Sequence, residues 1–121
     1  MKRKIIIAGG RDFNNYKLLK DNVDFYLSEA IKNGDSIEIV SGKAKGADSL
    51  GEKYAKEKGY SIDEHPAKWN KLGKRAGYVR NEEMAKVSHA LIAFWDGKSK
   101  GTKHMIELAK KYNLKVRVVT Y

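Results

Sequence analysis

Short apolar runs alternate along the chain with longer segments in which apolar residues recur every three or four positions. A short apolar run is typical of a strand buried on both faces, and the longer period is typical of an amphipathic helix. The pattern predicts five strands, at about residues 3–8, 36–41, 60–65, 89–95 and 114–120. It predicts helices from Asn14 or Asn15 to about Lys32, from Gly46 to about Lys58, from about Gly77 to Lys86, and over about residues 102–112. Residues 67–77 show no clear period and are expected to form a long loop.

The alternation of strands and helices predicts the fold class. Successive βαβ units with short turns favour a parallel sheet with right-handed crossovers. We therefore predict an α/β, Rossmann-like three-layer sandwich, in which a mainly parallel five-stranded sheet of order 3-2-1-4-5 carries helices on both faces. The chain has 121 residues and neither a linker nor a low-complexity tract, so residues 1–121 are expected to form a single domain.

Three of the predicted strands end in turns rich in glycine and charged residues. The carboxyl ends of parallel strands gather at one edge of a sheet, so these turns are expected to meet there. Glycine lets the backbone approach a phosphate closely, and the N-terminus of a helix favours an anion. Neither the dinucleotide motif G-x-G-x-x-G nor a P-loop is present, and no cofactor is expected. The candidate ligand-binding residues in these turns are Gly9, Gly10, Arg11, Ser41, Gly42, Lys45, Gly46, Asp48, Gly97, Ser99, Gly101 and Thr102.

Arg80 is the most informative single residue of the chain. Helical spacing places it with Met84 on the helix face that turns toward the sheet. Arginine is rarely buried without a partner, and its planar fork suits a phosphate. Arg80 is therefore interpreted either as a phosphate ligand, with Asn81 as a supporting amide, or as the partner of Asp12 or Asp96 in a salt bridge.

The formal net charge of +10 indicates an anionic partner. Basic residues cluster in three predicted loops, at Lys43 and Lys45, at residues 68–75 and at residues 98–103. If these loops share one edge, the field there is strongly positive and suits a phosphate-bearing ligand or a nucleic acid. Trp69 lies in the second loop, where it is either a packing residue or a surface on which a base stacks.

Several classes of protein are not supported by the sequence. There is no cysteine, and the three histidines show no metal-binding spacing, so neither a disulfide framework nor a metal site is expected. The apolar run after the basic residues 1–4 is too short for a signal peptide or a membrane span. We therefore expect a cytoplasmic protein with no membrane partner.

Five motifs in order make the chain resemble the YspA/YpsA-related branch of the SLOG superfamily, which is common in bacteria and their phages. The resemblance covers nearly the whole chain. It implies a Rossmann-like fold and a site for nucleotides or nucleotide-derived ligands, but no established reaction. The motifs are Gly9-Gly10-Arg11-Asp12-Phe13, Ser41-Gly42-Lys43-Ala44-Lys45-Gly46-Ala47-Asp48, Pro66-Ala67-Lys68-Trp69, Gly77-Tyr78-Val79-Arg80-Asn81-Glu82-Glu83-Met84 and Ala93-Phe94-Trp95-Asp96-Gly97-Lys98-Ser99-Lys100-Gly101-Thr102.

The same superfamily contains the LOG-type phosphoribohydrolases, which release a base from a nucleoside monophosphate. Residues 80–84 look like their arginine motif, and Gly101-Thr102 matches the Gly-Thr of their glycine-rich motif P-G-G-x-G-T-x-x-E, whose P-G-G opening this chain lacks. The position of their catalytic glutamate holds Met105, and a thioether cannot transfer a proton. A similar hydrolysis by this chain therefore requires Asp12, Asp48 or Asp96 to take over that role.

Three functions are compatible with these observations. We favour binding of a nucleotide or nucleotide-derived small molecule, by a module that senses, sequesters or processes it. The alternative is a LOG-like hydrolase of the N-glycosidic bond, with Arg80 on the phosphate and Asp12 or Asp96 in acid–base chemistry. The second alternative is a nucleic-acid-binding protein, because the superfamily includes the single-stranded DNA-binding protein DprA. LOG-like proteins dimerise through helices beside the site, so the resemblance also implies a homodimer.

Overall fold

The predicted order of the strands is confirmed by a computed structural model, which describes residues 1–121. All five strands pair in parallel, in the order β3-β2-β1-β4-β5. The elements are β1 (Lys2–Gly9), α1 (Tyr16–Lys32), β2 (Ser36–Ser41), α2 (Ala47–Lys58), β3 (Ser61–Glu64), α3 (Trp69–Leu72), a 3-10 turn (Gly73–Arg75), α4 (Ala76–Val87), β4 (Ala90–Trp95), α5 (Lys100–Lys111) and β5 (Lys115–Thr120).

The hydrophobic core is divided into two halves by the sheet. Because successive side chains of a strand point to opposite faces, Ile5 and Ile7 of β1 pack toward α1 and α2. Ile6 and Ala8 point the other way and pack toward α4 and α5. The continuous apolar run of β1 is thus buried on both faces, and the predicted three-layer arrangement is confirmed.

The predicted boundaries of the strands and of the four long helices agree with the structure to within about two residues. The expectation of a loop over residues 67–77 is wrong, because α3 and the 3-10 turn lie there. The amides of Lys71 and Leu72 both donate to the carbonyl oxygen of Lys68. Neither element contains a buried residue, so no apolar period marks them in the sequence.

Close backbone contacts bring the turn after β1 against the start of α2. The amide of Ala47 donates to the carbonyl oxygen of Gly10 at 3.3 Å. Gly46 has φ +76°, and a Cβ there would collide with that same carbonyl oxygen. The amide of Gly10 also donates to the carbonyl oxygen of Phe94 at 3.1 Å, so the turns after β1 and β4 and the N-terminus of α2 lie together.

No helix of the chain combines the length and the apolar character that a membrane-spanning segment needs.

Candidate functional site

A cleft of about 460 Å³ opens at the carboxyl edge of the sheet, between the turns that follow β1 and β4. These two strands are neighbours whose connections leave toward opposite faces, which is where open parallel sheets form a crevice. Eleven of the residues predicted from the sequence line it: Gly9, Gly10, Arg11, Asp12, Asp48, Arg80, Asn81, Asp96, Ser99, Gly101 and Thr102.

The half-buried side chain of Arg80 crosses from α4 to the turn after β2. Its Nη1 donates to the carbonyl oxygen of Gly42 at 2.9 Å. Its Nε is buried without a hydrogen-bond partner. The salt bridge to Asp12 or Asp96 that the sequence left open is not formed, because the guanidinium is anchored at Gly42 instead. The Nη1 side of the Arg80 guanidinium is therefore held by a hydrogen bond within the protein.

Asp48 is the buried carboxylate beside this arginine. It lies in the first turn of α2, with a residue exposure of 5%. Its Oδ2 accepts a hydrogen bond from the amide of Ala44 at 3.3 Å. Burial raises the pKa of Asp48 to about 6, although the hydrogen bond and the positive charge of Arg80 oppose that rise. Asp48 is consequently a carboxyl group that titrates close to neutral pH.

The first turn of α5 forms part of the wall of the cleft. The Oγ of Ser99 caps this helix by accepting from the amide of Thr102 at 3.4 Å. Asp96 in turn accepts from the amides of Lys98 and Ser99 at 2.8 and 2.9 Å through one oxygen, Oδ1, and these bonds lower its pKa. The amide of Gly101 has no partner within the chain, so this turn presents a free donor at the positive end of the helix dipole.

Asn81 joins the two helices beside the cleft. Its Nδ2 donates to the carbonyl oxygen of Gly101 at 3.4 Å, and it lies 3.2 Å from Nδ1 of His104. The side chain is buried, and it ties α4 to the start of α5. Asn81 therefore positions the α5 turn relative to Arg80, one residue before it on α4.

Asp12 lies at the open rim of the cleft and has a partner that the sequence did not reveal. The Oη of Tyr121 donates to its Oδ1 at 2.7 Å. The same tyrosine ring packs edge-on against Phe13, with the ring centroids 4.9 Å apart. The two partners are 109 residues apart in the sequence, so no local motif could have predicted their contact.

A second hollow of about 460 Å³, which we call the basic cavity, adjoins the cleft. Arg11, Ala44 and Arg80 line both hollows. Three predicted residues lie here rather than in the cleft, namely Gly42, Lys45 and Trp69. The Trp69 side chain belongs to α3, and half of its surface is exposed.

Three predicted residues line neither hollow, and their contacts are structural. The buried Oγ of Ser41 donates to Glu52 at 2.7 Å and accepts from the amide of Lys43 at 3.1 Å. Gly46 provides the close approach to Gly10 described above. Gly97 has φ +84°, which a residue with a side chain rarely adopts, and it shapes the turn after β4.

The strongly positive field expected at this edge is not found in the cleft itself. Two arginines, Arg11 and Arg80, face three carboxylates, Asp12, Asp48 and Asp96. We expected a positive field because of the lysines in the predicted loops. Of these, Lys98, Lys100 and Lys103 line neither hollow. Positive charge is concentrated in the basic cavity, which no carboxylate lines.

Four apolar residues of the cleft were missed as site residues. Met84 and Met105 form part of its lining with Ala8 and Ala44. The two methionines are almost fully buried, and their helical spacing marks them as core residues. The floor of the cleft is continuous with the hydrophobic core, so the sequence offers no signal that distinguishes a residue lining the cleft from a residue of the core. No group of three or more histidine or carboxylate side chains is arranged to hold a metal ion.

The chain is similar to a phage protein and to the solved structure of a DNA processing protein. The chain is 29% identical to the Gene 61 protein of Mycobacterium phage D29 over 120 residues, which cover 94% of each protein. Its fold is similar to that of DNA processing protein A from Helicobacter pylori, a structure that concerns the single-stranded DNA binding mode of that protein. This similarity has a TM-score of 0.60 and 23% identity, and it covers 96% of this chain but 64% of the other.

The model of one protein family matches residues 3–72, a stretch that includes β1, β2, β3 and the two helices between them. The stretch takes in more than half of the chain and carries the Gly9 and Gly42 turns. The chain therefore belongs to the YspA, cpYpsA-related SLOG family.

Proposed function

We propose that the chain binds a nucleotide or a nucleotide-derived small molecule in the cleft, with a phosphate group between Arg80 and the first turn of α5. The observation that carries the proposal is the guanidinium of Arg80. It is anchored through Nη1 only, and it lines a cleft that the N-terminal turn of α5 also lines. A charged fork and a helix N-terminus that border one hollow favour a phosphate there.

Family membership and the DNA-binding structural neighbour support the binding of nucleotides or nucleic acid in general terms. The mixed charge of the cleft supports a small ligand with few phosphates. Arg11 and Arg80 complement an anion, whereas Asp12 and Asp48 are acceptors for ribose hydroxyl or base amino groups. The apolar floor at Met84 and Met105 suits the face of a base or sugar.

Isothermal titration calorimetry with mono-, di- and cyclic nucleotides and with ADP-ribose tests the proposal. For the ligand that binds, Arg80→Ala should weaken affinity by about 10- to 150-fold, because a hydrogen bond to a charged group is lost. Arg80→Lys should recover part of the loss, since it keeps the charge but not the fork. Arg117→Ala removes an exposed arginine of β5 that lines neither hollow and is the matched control. Silence of the folded protein across the whole panel would contradict the proposal.

A second candidate, hydrolysis of a nucleotide N-glycosidic bond, is favoured by the pKa of Asp48. A carboxyl group that titrates near pH 6 can both take up and release a proton at neutral pH. Asp96 is less suited because its Oδ1 already accepts two amide hydrogen bonds. Free base should be released from a nucleoside monophosphate by the parent protein and not by Asp48→Asn. No turnover at high protein concentration would exclude this reaction for the substrates tried.

Nucleic-acid binding is the third candidate, supported by the basic surface of α3 and the 3-10 turn. Four cationic side chains are exposed on or beside these elements: Lys68, Lys71, Lys74 and Arg75. If they track a phosphate backbone, affinity for a single-stranded oligonucleotide should fall steeply with salt concentration. A nearly flat salt dependence would exclude this candidate.

A further inference from the structure

The basic cavity differs from the cleft in having an unbalanced positive charge. Arg11, Lys43, Lys45 and Arg80 line it, and no carboxylate does. Lys43 is already paired with Glu52 at 2.9 Å and with a second glutamate at 3.3 Å. The other three cations make no ion pair within the chain. An unpaired cluster of this kind complements a ligand anion.

Arg11 and Arg80 form the boundary between the two hollows, because both residues line both of them. Burial lowers the pKa of Arg80, the carboxylate of Asp48 opposes that change, and the nearby positive charge of Arg11 adds to the lowering. Keeping two like charges together costs free energy; Asp48 beside Arg80 offsets part of this cost, and no carboxylate is paired with Arg11. The boundary is therefore a favourable position for a phosphate that joins a group in the cleft to a group in the basic cavity.

Trp69 supplies an aromatic wall on the far side of this boundary. Half of its surface is exposed. It lines the basic cavity and also a shallow depression beyond it, where Lys68 and Lys71 lie. A Cβ on Gly77 of α4 would lie 3.5 Å from its Cη2, so the indole rests against the start of that helix. An exposed, supported ring surrounded by cations is suited to stacking with a base.

We propose that the natural ligand has two nucleotide units, one in the cleft and one in the basic cavity, joined by phosphate at Arg11 and Arg80. This inference rests on the proposed function, because the first unit occupies the nucleotide site of the cleft. Each hollow measures about 460 Å³, which lies within the range of about 300–1,000 Å³ typical of small-molecule sites. The second base stacks on Trp69, and Lys45 contacts the anionic linkage.

The test is a length series of 5′-phosphorylated oligodeoxynucleotides with one, two, four and eight residues, prepared for each of the four bases. Affinity is measured by calorimetry and by quenching of tryptophan fluorescence. The dinucleotide should bind at least tenfold more tightly than the mononucleotide. It should also quench the Trp69 component of the fluorescence, which Trp69→Phe lacks and which the mononucleotide leaves unchanged; the other tryptophan, Trp95, donates to the carbonyl oxygen of Ser99 at the cleft. The affinity of the longer strands should exceed that of the dinucleotide only by a statistical factor, because a longer strand contains more overlapping dinucleotides that can occupy the site.

Variants separate the two hollows. Trp69→Ala should weaken dinucleotide binding by about 5- to 150-fold, the range expected for loss of one stacked base, and leave mononucleotide affinity within twofold. Trp69→Phe should retain most of the dinucleotide affinity. Phe25→Ala, which removes an exposed ring from α1, is the matched aromatic control. Lys45→Ala should also weaken the dinucleotide selectively, whereas Lys110→Ala, an exposed site near the end of α5, should not.

Each unfavourable outcome points to a different error. If mononucleotides bind and the dinucleotide is no tighter, the two-unit ligand is excluded and the proposed function stands. If affinity continues to rise with strand length beyond the statistical factor, the basic cavity belongs to a nucleic-acid track and the inference is overturned. If no member of the length series binds the folded protein, this inference fails, and the proposed function fails with it only if the calorimetric panel of nucleotides and ADP-ribose is silent as well.

Discussion

The carboxylate of Asp48 and the side chain of Arg80 both pack against Gly42, a residue that has no side chain to hold them away. A Cβ on Gly42 would lie 2.9 Å from Oδ2 of Asp48 and 3.0 Å from Cδ of Arg80. The two charged groups come from α2 and α4, on opposite faces of the sheet, and they approach each other at its carboxyl edge. Gly42 therefore lies where side chains from the two layers of helices come together at the candidate site.

Gly42→Ala is expected to disturb both charged groups. The added methyl group must displace a buried carboxylate and the arginine stem, which should lower the free energy of unfolding by about 1–3 kcal/mol. It should also weaken nucleotide binding by moving the guanidinium. Gly77→Ala is the matched control, because its Cβ meets its neighbours at 3.5 Å and beyond and alanine favours the helix. Chemical denaturation of the two variants gives the comparison, and equal stabilities would contradict the expectation.

Asp48→Asn should change the pH dependence of stability in a defined direction. The pKa of Asp48 is raised from 3.8 to about 6 in the folded protein, so the cost of burying its charge is absent below pH 4. That cost accumulates as the pH rises to 6, and it reaches about 2–3 kcal/mol. The variant should therefore gain stability relative to the parent protein between pH 4 and pH 7. Denaturation midpoints measured across this range test it, and a difference that stays constant with pH would contradict it.

Ser99→Ala should loosen the start of α5. The Ser99 hydroxyl is the N-cap of this helix, and loss of such a cap costs about 0.5–2 kcal/mol of stability. Because the same turn lines the cleft, nucleotide affinity should fall as well. Ser28→Ala, on the exposed face of α1, removes a hydroxyl that caps no helix and serves as the control. Thermal unfolding and calorimetry give the two readouts, and unchanged affinity would show that the turn does not bind the ligand.

Tyr121→Phe should affect ligand binding through Asp12. Removing the hydroxyl leaves the carboxylate of Asp12 without the hydrogen bond that orients it at the rim of the cleft. If Asp12 contacts the ligand, Tyr121→Phe and Asp12→Asn should each weaken binding, and the double variant should be little weaker than Asp12→Asn alone. Tyr78→Phe is the control, because its hydroxyl makes no hydrogen bond within the chain. Fully additive losses would show that the two residues act independently.

The order of the strands, the three layers and the place of the cleft could all be predicted from the sequence. These features depend on local patterns, such as the apolar run Ile5–Ala8, and on the handedness of βαβ connections, which hold for any chain with this alternation. The turns that begin at Gly9, Gly42 and Gly97 follow their strands directly, so their gathering at one edge follows from the parallel order. The helical period likewise placed Arg80 toward the sheet.

The chemical environment of those residues was decided only by the tertiary structure. Arg80 is anchored by Gly42 rather than by Asp12 or Asp96, and Tyr121 reaches Asp12 although the two are 109 residues apart in the sequence. Contacts of this kind depend, to within about an ångström, on how side chains from distant segments pack. No local sequence pattern predicts that packing. The net charge that lines a hollow likewise depends on which charged residues the tertiary packing brings together. For this reason the sequence indicated where the cleft forms, and the folded chain separated a mixed-charge cleft from a basic cavity beside Trp69.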